Sequence, residues 1–555
     1  MTQTQHTQPS KWTPLGVFGA LTWILIAPLL RPGFVFALDM VPTPKWRLPA
    51  SITSSYPFYV LMHLLNFVLP GDVLQKLLLI VIFLSMGLGG YYLAQYIEPP
   101  DREAASGYGT YITGLIYVIN PYTYSRLMAG QYAVLFGYAL LPWLARALLQ
   151  LLARPSWQQA VRTGLWATAV GIVSIHTLGL ALIMAIASLC LAVWRQRHHA
   201  AELRKLVGMS LLAAGLFVLA SSFWLAPLAL GRGNTAAAIH GFGAGDEQTF
   251  ATVGDGTLDR LAHVGRLEGF WAESTGLYRM PQSIGPVWWL VLTIFMGLVI
   301  TGAAYYWRTG RRGEVSVLAL SALLAALLAA GLFVDWLSGH IPLFAGYREP
   351  HKFTGLVALA YALCAGGGAA AALQWTRQHS KRLAAGAAIL PVVIAFTLTS
   401  SMPLGGGNQL TVSHYPAGWY AVNAALDHDQ SRYKVLFLPW HLYMHFGFAA
   451  TIMANPADNF FDKPVLSSND PEFGNSSPST HNPQLDKLSN SILPAAPQRS
   501  QLGAQVAPLG VKYIILANES DADTYGYLRK QRDLTVLYHD QTITLYKNTA
   551  WQRSP

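Results

Sequence analysis

Charged residues are scarce in this chain of 555 residues: 12% are Asp, Glu, Lys or Arg, against 53% hydrophobic. A soluble domain carries about 25% charged residues, so the shortfall excludes an ordinary water-soluble fold and makes lipid the solvent for most of the chain. Cysteine is almost missing. Cys190 and Cys364 both lie inside apolar runs, which excludes a disulfide framework and zinc-ligand spacing. No calcium loop of the form D-x-[DN]-x-[DN]-G occurs. No internal repeat occurs either, which weakens an inverted-repeat transporter. Acidic charge is in deficit, leaving a formal net charge of +10. In a soluble protein that excess would raise nucleic acid as a partner. Here much of the basic charge sits in short loops between apolar runs, so it reports topology, and no nucleic-acid partner is expected.

What is abundant is apolar sequence in pieces of membrane-crossing length. A span needs about 20 mostly apolar residues. Eleven candidates follow: 14–31, 74–97, 105–121, 131–150, 160–176, 177–194, 206–230, 286–307, 315–336, 353–374 and 383–402. The polar stretch Met1 to Thr13 precedes the first without a cleavage site, so that span is expected to be retained. Residues 163–194 would make one helix of about 48 Å at 1.5 Å per residue, too long for one bilayer. A split at Ser174–Gly179, beside His176, resolves this. Arg154 and Arg162, then Arg195, Arg197, Arg204 and Lys205, then Arg308, Arg311 and Arg312, and finally Arg377, Lys381 and Arg382 then share one side, the cytoplasmic one. The other side receives the loops 32–73, 231–285 and 337–352, the turn 120–130 and everything after residue 403. In the first of these loops the run Tyr56–Leu69 is apolar but short for a span, and is expected to lie along the membrane surface.

The expected organisation is therefore a polytopic α-helical membrane domain, 1–402, followed by a small extracytoplasmic α/β domain, 403–555, of a multi-pass plasma-membrane protein. The second part is richer in Pro, Asn, Ser and Asp and holds β-rich runs at Tyr433–Pro439, Val511–Ala517, Leu534–Tyr538 and Ile543–Tyr546. The last two read as a hairpin turning at His539–Gln541. Residues 521–532 suit a helix. Residues 455–505 read as a loop-rich insertion or a surface that contacts the membrane domain.

Candidate chemistry gathers on the outer side. Asp39, in "RPGFVFALDMVPTPKWRLP", follows the first span, with Lys45 and Arg47 close behind as cations that would keep it ionised. A carboxylate there suits a general base acting on a hydroxyl, or simply caps the next segment. "HIPLFAGYREPHKF" places Arg348, His351 and Lys352 within five residues, with Glu349 among them. These cations suit a phosphate group; alternatively Arg348 and Glu349 form a local ion pair and Lys352 an interface anchor. "NPYTYSRLMAGQY" supplies Arg126 and three tyrosines, which are either sugar-stacking surfaces or belt residues. The loop 231–285 carries Asp246, Glu247, Asp255, Asp259, Glu268 and Glu273, as a lid, an acceptor surface or a solvated loop. His176 is an ionisable group at membrane depth, which is either a packing histidine or functional.

The pattern resembles the GT-C superfamily of membrane glycosyltransferases: a first span leading into an outer loop with an Asp near its start, many further spans, and an outer soluble domain. "GLIYVINPYTYSRLMAGQYAVLFGYALLPWL" (114–144) is similar to the α-(1→3)-arabinofuranosyltransferase-like proteins. "PLFAGYREPHKF" and "LGVKYIILANES…TVLYHDQTITLYKN" are similar to YfhO-like membrane proteins, which are linked to glycosylation. The resemblance implies an inverting enzyme that takes a sugar from a polyprenyl-phosphate carrier in membrane lipid and passes it to a glycan, lipid or protein acceptor. Asp39 would be its base. Many members pair two acidic residues in this loop, whereas here Met40 follows Asp39. No cofactor is implied, and a divalent cation is left open because a single carboxylate is a poor metal site. Arg348 and Lys352 would meet the carrier phosphate on chemical grounds. Two other readings compete: a transporter or flippase of lipid-linked glycans, and a non-catalytic assembly protein on the same scaffold.

Overall fold

The computed structural model describes residues 12–98, 105–232, 239, 242, 244–341, 344–476, 478 and 482–552. The N-terminal polar stretch thus lies outside the described residues, save Trp12 and Thr13. The membrane part is built from α1 (Thr13–Ile26), α2 (Tyr56–Asn66), α3 (Gly71–Ile97), α4 (Ala105–Val118), α5 (Pro121–Met128), α6 (Tyr132–Ala153), α7 (Trp157–Val173), α8 (Ile175–Gln196), α9 (Ala200–Ala220), α10 (Ser222–Ala229), α11 (Pro286–Arg308), α12 (Arg312–Ala329), α13 (Thr354–His379) and α14 (Lys381–Leu398). Among the described residues nine helical segments are long and apolar enough to cross a membrane. The other two expected spans are helical but shorter, at 14 residues for α4 and 17 for α7. The chain is a multi-pass membrane protein.

Local chemistry explains the boundaries. Between α7 and α8 the chain breaks at Ser174, whose backbone is extended at φ −157°, and its hydroxyl accepts from Thr177 N at 3.2 Å, capping α8. Pro121 starts α5 behind Asn120, whose side-chain oxygen accepts from Thr123 N at 3.0 Å. The centre of the bundle is α13, which packs most extensively on α11 and α4. Its run "CAGGGAAAA" makes this possible. A Cβ on Gly302 would overlap the Cys364 carbonyl, one on Gly368 the Leu298 carbonyl, and one on Gly366 the Thr113 side chain. Bare backbones let three helices approach closely where lipid offers no hydrophobic drive to associate. The helix α2 is 11 residues long, too short to span, and leaves Leu61, Leu64, Phe67 and Val68 exposed along or beyond it.

The C-terminal part carries one more long helix, α15 (Ala417–His428), and strands β3 (Lys434–Leu438), β6 (Val465–Leu466), β7 (Val511–Ala517), β8 (Leu534–His539) and β9 (Ile543–Asn548). They form one mixed sheet in the order β6-β3-β7-β9-β8, parallel from β6 to β7 and antiparallel beyond. Asp540 shapes the expected hairpin turn by accepting from Thr542 N and Ile543 N at 2.8 and 2.9 Å. The expected helix at 521–532 is a 3₁₀ segment, Ala522–Lys530.

One small pairing ties this part to the first loop, β1 (Phe34–Val35) running antiparallel to β2 (Val412–Ser413). A ribbon within the C-terminal part, β4 (Tyr443–Met444) against β5 (Met453–Ala454), reaches the same loop through Ala454 N, which donates to Leu38 O at 2.8 Å. Phe34 and Phe36 join the aromatic core of Tyr415, Trp419, Phe446 and Phe460. The insertion 455–505 contributes β6 and short helices, and it reaches the loop 231–285, where Phe473 packs on Trp271 at 5.0 Å.

Candidate active site

Asp39 owes its position to the backbone. Ala37 and Met40 exchange hydrogen bonds of 3.1 Å, making a tight turn, and Asp39 N donates to Ala129 O at 2.9 Å. The turn after α5 can come this close because residue 130 is glycine: its φ is +70°, and a Cβ would press on Met40 N and Ala37. The Asp39 side chain then meets two neutral donors. Tyr443 OH donates to Oδ1 at 2.8 Å and Gln131 Nε2 to Oδ2 at 3.2 Å. Burial raises the Asp39 carboxyl above the usual range, and these two hydrogen bonds oppose the rise.

Gln131 links Asp39 to a second carboxylate. Its Nε2 also donates to Glu349 Oε2 at 3.4 Å, and its Oε1 accepts from Arg126 Nη1 at 2.6 Å. Glu349 forms ion pairs with Arg126 and, at 3.0 Å, with Lys352. Burial alone would raise the Glu349 carboxyl, but the two cations hold it well below the usual range. Arg126 is fully buried, with Phe270 4.3 Å from its guanidinium carbon, and donates from Nη2 to His351 Nδ1 at 2.7 Å. Because arginine has no acceptor, His351 carries its proton on Nε2, which donates to Glu268 O at 3.1 Å. Arg348 pairs with Asp246 at 3.0 Å between the rings of Phe242 and Phe250.

These groups surround a cavity of about 480 Å³ that brings together the segments expected on one side of the membrane. Its wall includes Asp39, Gln131, Arg348, Glu349, Lys352 and Tyr443, with His176 and Trp271. Asp39 also lines a second cavity of about 480 Å³, with Lys45, Arg47, Tyr59, Tyr132 and Asn455. An apolar groove of about 500 Å³ is lined by α6, α7, α8 and α9 and by Tyr347, whose neighbour Gly346 and ring partner His176 line the first cavity.

The sequence-derived candidates separate accordingly. Asp39, Arg348, Glu349 and Lys352 share one cavity. Arg126 and His351 stand behind Glu349 and do not line it, so His351 is a neutral packing partner and not a third cation. Lys45 and Arg47, expected to hold Asp39 ionised, instead pair with Asp462 at 2.5 and 2.6 Å, because the insertion folds back over the first loop. The alternative of a local ion pair between Arg348 and Glu349 does not hold: Arg348 pairs with Asp246 and Glu349 with Lys352 and Arg126. Glu268 and Glu273 stand in a loop that could have been solvated, but Glu268 is buried and Glu273 half-buried, and desolvation pushes their carboxyls up to about 7 and about 8. Gln131 and Tyr443 were not anticipated: Gln131 lay inside a quoted motif with nothing to single it out, and Tyr443 is 404 positions from Asp39. Among the described residues no group of three or more His, Cys, Asp or Glu side chains is placed to hold a metal ion.

No protein-family model and no curated sequence matches the chain. Solved structures do. A cryo-EM structure of the arabinofuranosyltransferase AftD from Mycobacteria superposes on 96% of the chain with a TM-score of 0.62 and 14% identity. A mutant form of the same protein gives 0.60 over 96%. The chain has the GT-C fold. It spans about two fifths of the AftD structures, covering 40% and 41% of them. A crystal structure of ArnT from Cupriavidus metallidurans bound to undecaprenyl phosphate matches over 98% of both chains, at 13% identity and a TM-score of 0.46. Within the GT-C fold of this chain, Asp39 occupies the first loop after the first span, at the junction of the two cavities.

Proposed function

We propose that the chain is a membrane glycosyltransferase that moves a sugar from a polyprenyl-phosphate carrier to an extracytoplasmic glycan, lipid or protein acceptor. The observation that carries this reading is the position of Asp39 between two cavities, one of them holding Arg348 and Lys352. The carrier phosphate enters the cavity of Arg348 and Lys352, with the polyprenyl tail in the apolar groove beside Tyr347. Each cation already has a carboxylate partner but keeps further N–H donors for phosphate oxygens. The acceptor enters from the second cavity. Asp39 takes the proton of the acceptor hydroxyl, the acceptor oxygen bonds to the anomeric carbon, and the bond from that carbon to the phosphate oxygen breaks. The phosphate leaves with the electron pair, and the configuration inverts. Arg348 and Lys352 stabilise the charge that builds on the leaving group. Asp39 and the cations share a side of the membrane with the C-terminal domain. That side is extracytoplasmic by the distribution of basic loops.

Arg348→Ala tests the donor half. Binding of a polyprenyl phosphate to purified protein, followed by native mass spectrometry, should weaken about tenfold or more, as expected for a lost charged hydrogen bond. Unchanged binding would reject this phosphate site. A non-catalytic scaffold is the second reading, favoured by one observation: both cations are already matched by Asp246 and Glu349. Turnover of a radiolabelled polyprenyl-phosphate sugar separates the two.

A further inference from the structure

The shorter of the two side-chain hydrogen bonds to the Asp39 carboxylate comes from the C-terminal part of the chain. Tyr443 stands on β4, in a ribbon where Tyr443 faces Ala454 and Met444 faces Met453. The ribbon is joined to the Asp39 loop twice. Ala454 N donates to Leu38 O at 2.8 Å, and Tyr443 OH donates to Asp39 Oδ1 at 2.8 Å. Asn455 N closes the ribbon on Leu442 O at 2.7 Å. Leu442, Tyr443 and Ile452 face one cavity while Ala454 and Asn455 face the other, so the ribbon is part of the partition between them. Among the described residues Asp39 makes no ion pair, and Tyr443 and Gln131 are its side-chain partners. A carboxylate offers about four lone-pair sites, so one donor per oxygen fixes its plane and leaves room for an incoming hydroxyl.

We infer that Tyr443 is a positioning residue: its hydroxyl orients Asp39 and favours its ionised form, which makes the β4–β5 ribbon of the C-terminal domain part of the catalytic centre. The inference rests on Asp39 being the base. A hydrogen bond to the charged form of an acid favours that form, and among the described residues Asp39 is the one carboxylate that the phenol hydrogen-bonds. Gln131 alone cannot replace it, because its amide is shared with Glu349.

The test is Tyr443→Phe in the full-length detergent-purified chain, since it deletes one oxygen and keeps the ring. Infrared difference titration of wild type against Asp39→Asn isolates the protonated Asp39 carboxyl without any substrate. In Tyr443→Phe the midpoint should rise by about one pH unit, the size of one charged hydrogen bond. Transfer from a radiolabelled polyprenyl-phosphate sugar should then fall about tenfold on the acidic limb and recover at higher pH. An unmoved midpoint overturns the inference, even if thermal stability falls, because a lost domain tether gives that pattern. If Asp39→Asn transfers at the wild-type rate, the base reading fails, whereas the titration midpoint still decides whether Tyr443 governs Asp39.

Discussion

Replacing Arg126 by Met should be among the most damaging single changes in this chain. The guanidinium is fully buried and touches three acceptors: Glu349, Gln131 Oε1 at 2.6 Å and His351 Nδ1 at 2.7 Å. Met fills much of the volume but offers no donor. Glu349 would keep Lys352 at 3.0 Å and lose its other cation, while His351 Nδ1 would be orphaned. Breaking a buried ion pair from one side costs about 3–5 kcal/mol, and an orphaned buried acceptor about 1–3 more. Relaxation will recover part of this, so a loss of about 4 kcal/mol is expected, read from denaturant unfolding in detergent. The pH dependence has a definite sign. The folded Glu349 carboxyl lies below its ordinary value, so its contribution is full above about pH 4.3 and is lost only on strong acidification. Without Arg126, burial gains ground, the carboxyl rises, and the smaller contribution that remains is lost completely in milder acid. Pairing Arg126→Met with Glu349→Gln should cost less than the sum of the single changes by about 1 kcal/mol or more. Additive costs, or an Arg126→Met protein within about 1 kcal/mol of wild type, would refute the account of this network.

Other outcomes follow from the same geometry. Gly302→Ala places a methyl group on the Cys364 carbonyl, so α11 and α13 must separate; a loss of about 1–3 kcal/mol is expected from unfolding in detergent, and none would contradict the packing. Asp462 is pulled down to about 2, against the effect of burial, chiefly by Lys45 and also by Asn423 and Arg47. That contribution is full above about pH 4 and is lost as pH falls through about 2, so Asp462→Asn should expose the 32–73 loop to limited proteolysis at neutral pH. Equal cleavage in both proteins would contradict this. A cysteine placed at the exposed Val536 of a Cys190/Cys364-free protein should react with an impermeant maleimide in intact cells. Labelling only after lysis would reverse the topology.

The helical architecture was readable because it follows from solvent: apolar runs must become helices in lipid. The split of 163–194 was legible as an excess of length, and the structure breaks it at Ser174, where a hydroxyl can cap. The strands β7 and β9 stood out as β-branched and aromatic runs between turn residues. The site was only half legible. Asp39, Arg348 and Lys352 could be named because charge near a membrane is conspicuous. The long-range pairings could not, since Asp246 lies 102 positions from Arg348 and Arg126 lies 223 from Glu349. Lys45 and Arg47 were assigned to Asp39 by proximity in sequence, but the insertion delivers Asp462 to them instead. Gln131 and Tyr443 are neutral, and a neutral donor acquires meaning only from what it faces.

The central claim is that Asp39 accepts the proton of the acceptor hydroxyl. Asp39→Asn keeps the shape of the side chain and the reach to Tyr443 and Gln131 while removing the base. The direct measurement is single-turnover transfer from a radiolabelled polyprenyl-phosphate sugar by wild type and Asp39→Asn, with polyprenyl-phosphate binding followed in the same preparations. The account predicts transfer reduced by at least about 10²–10⁴-fold, the usual contribution of a general base, with binding nearly unchanged. Transfer by Asp39→Asn at the wild-type rate would contradict it.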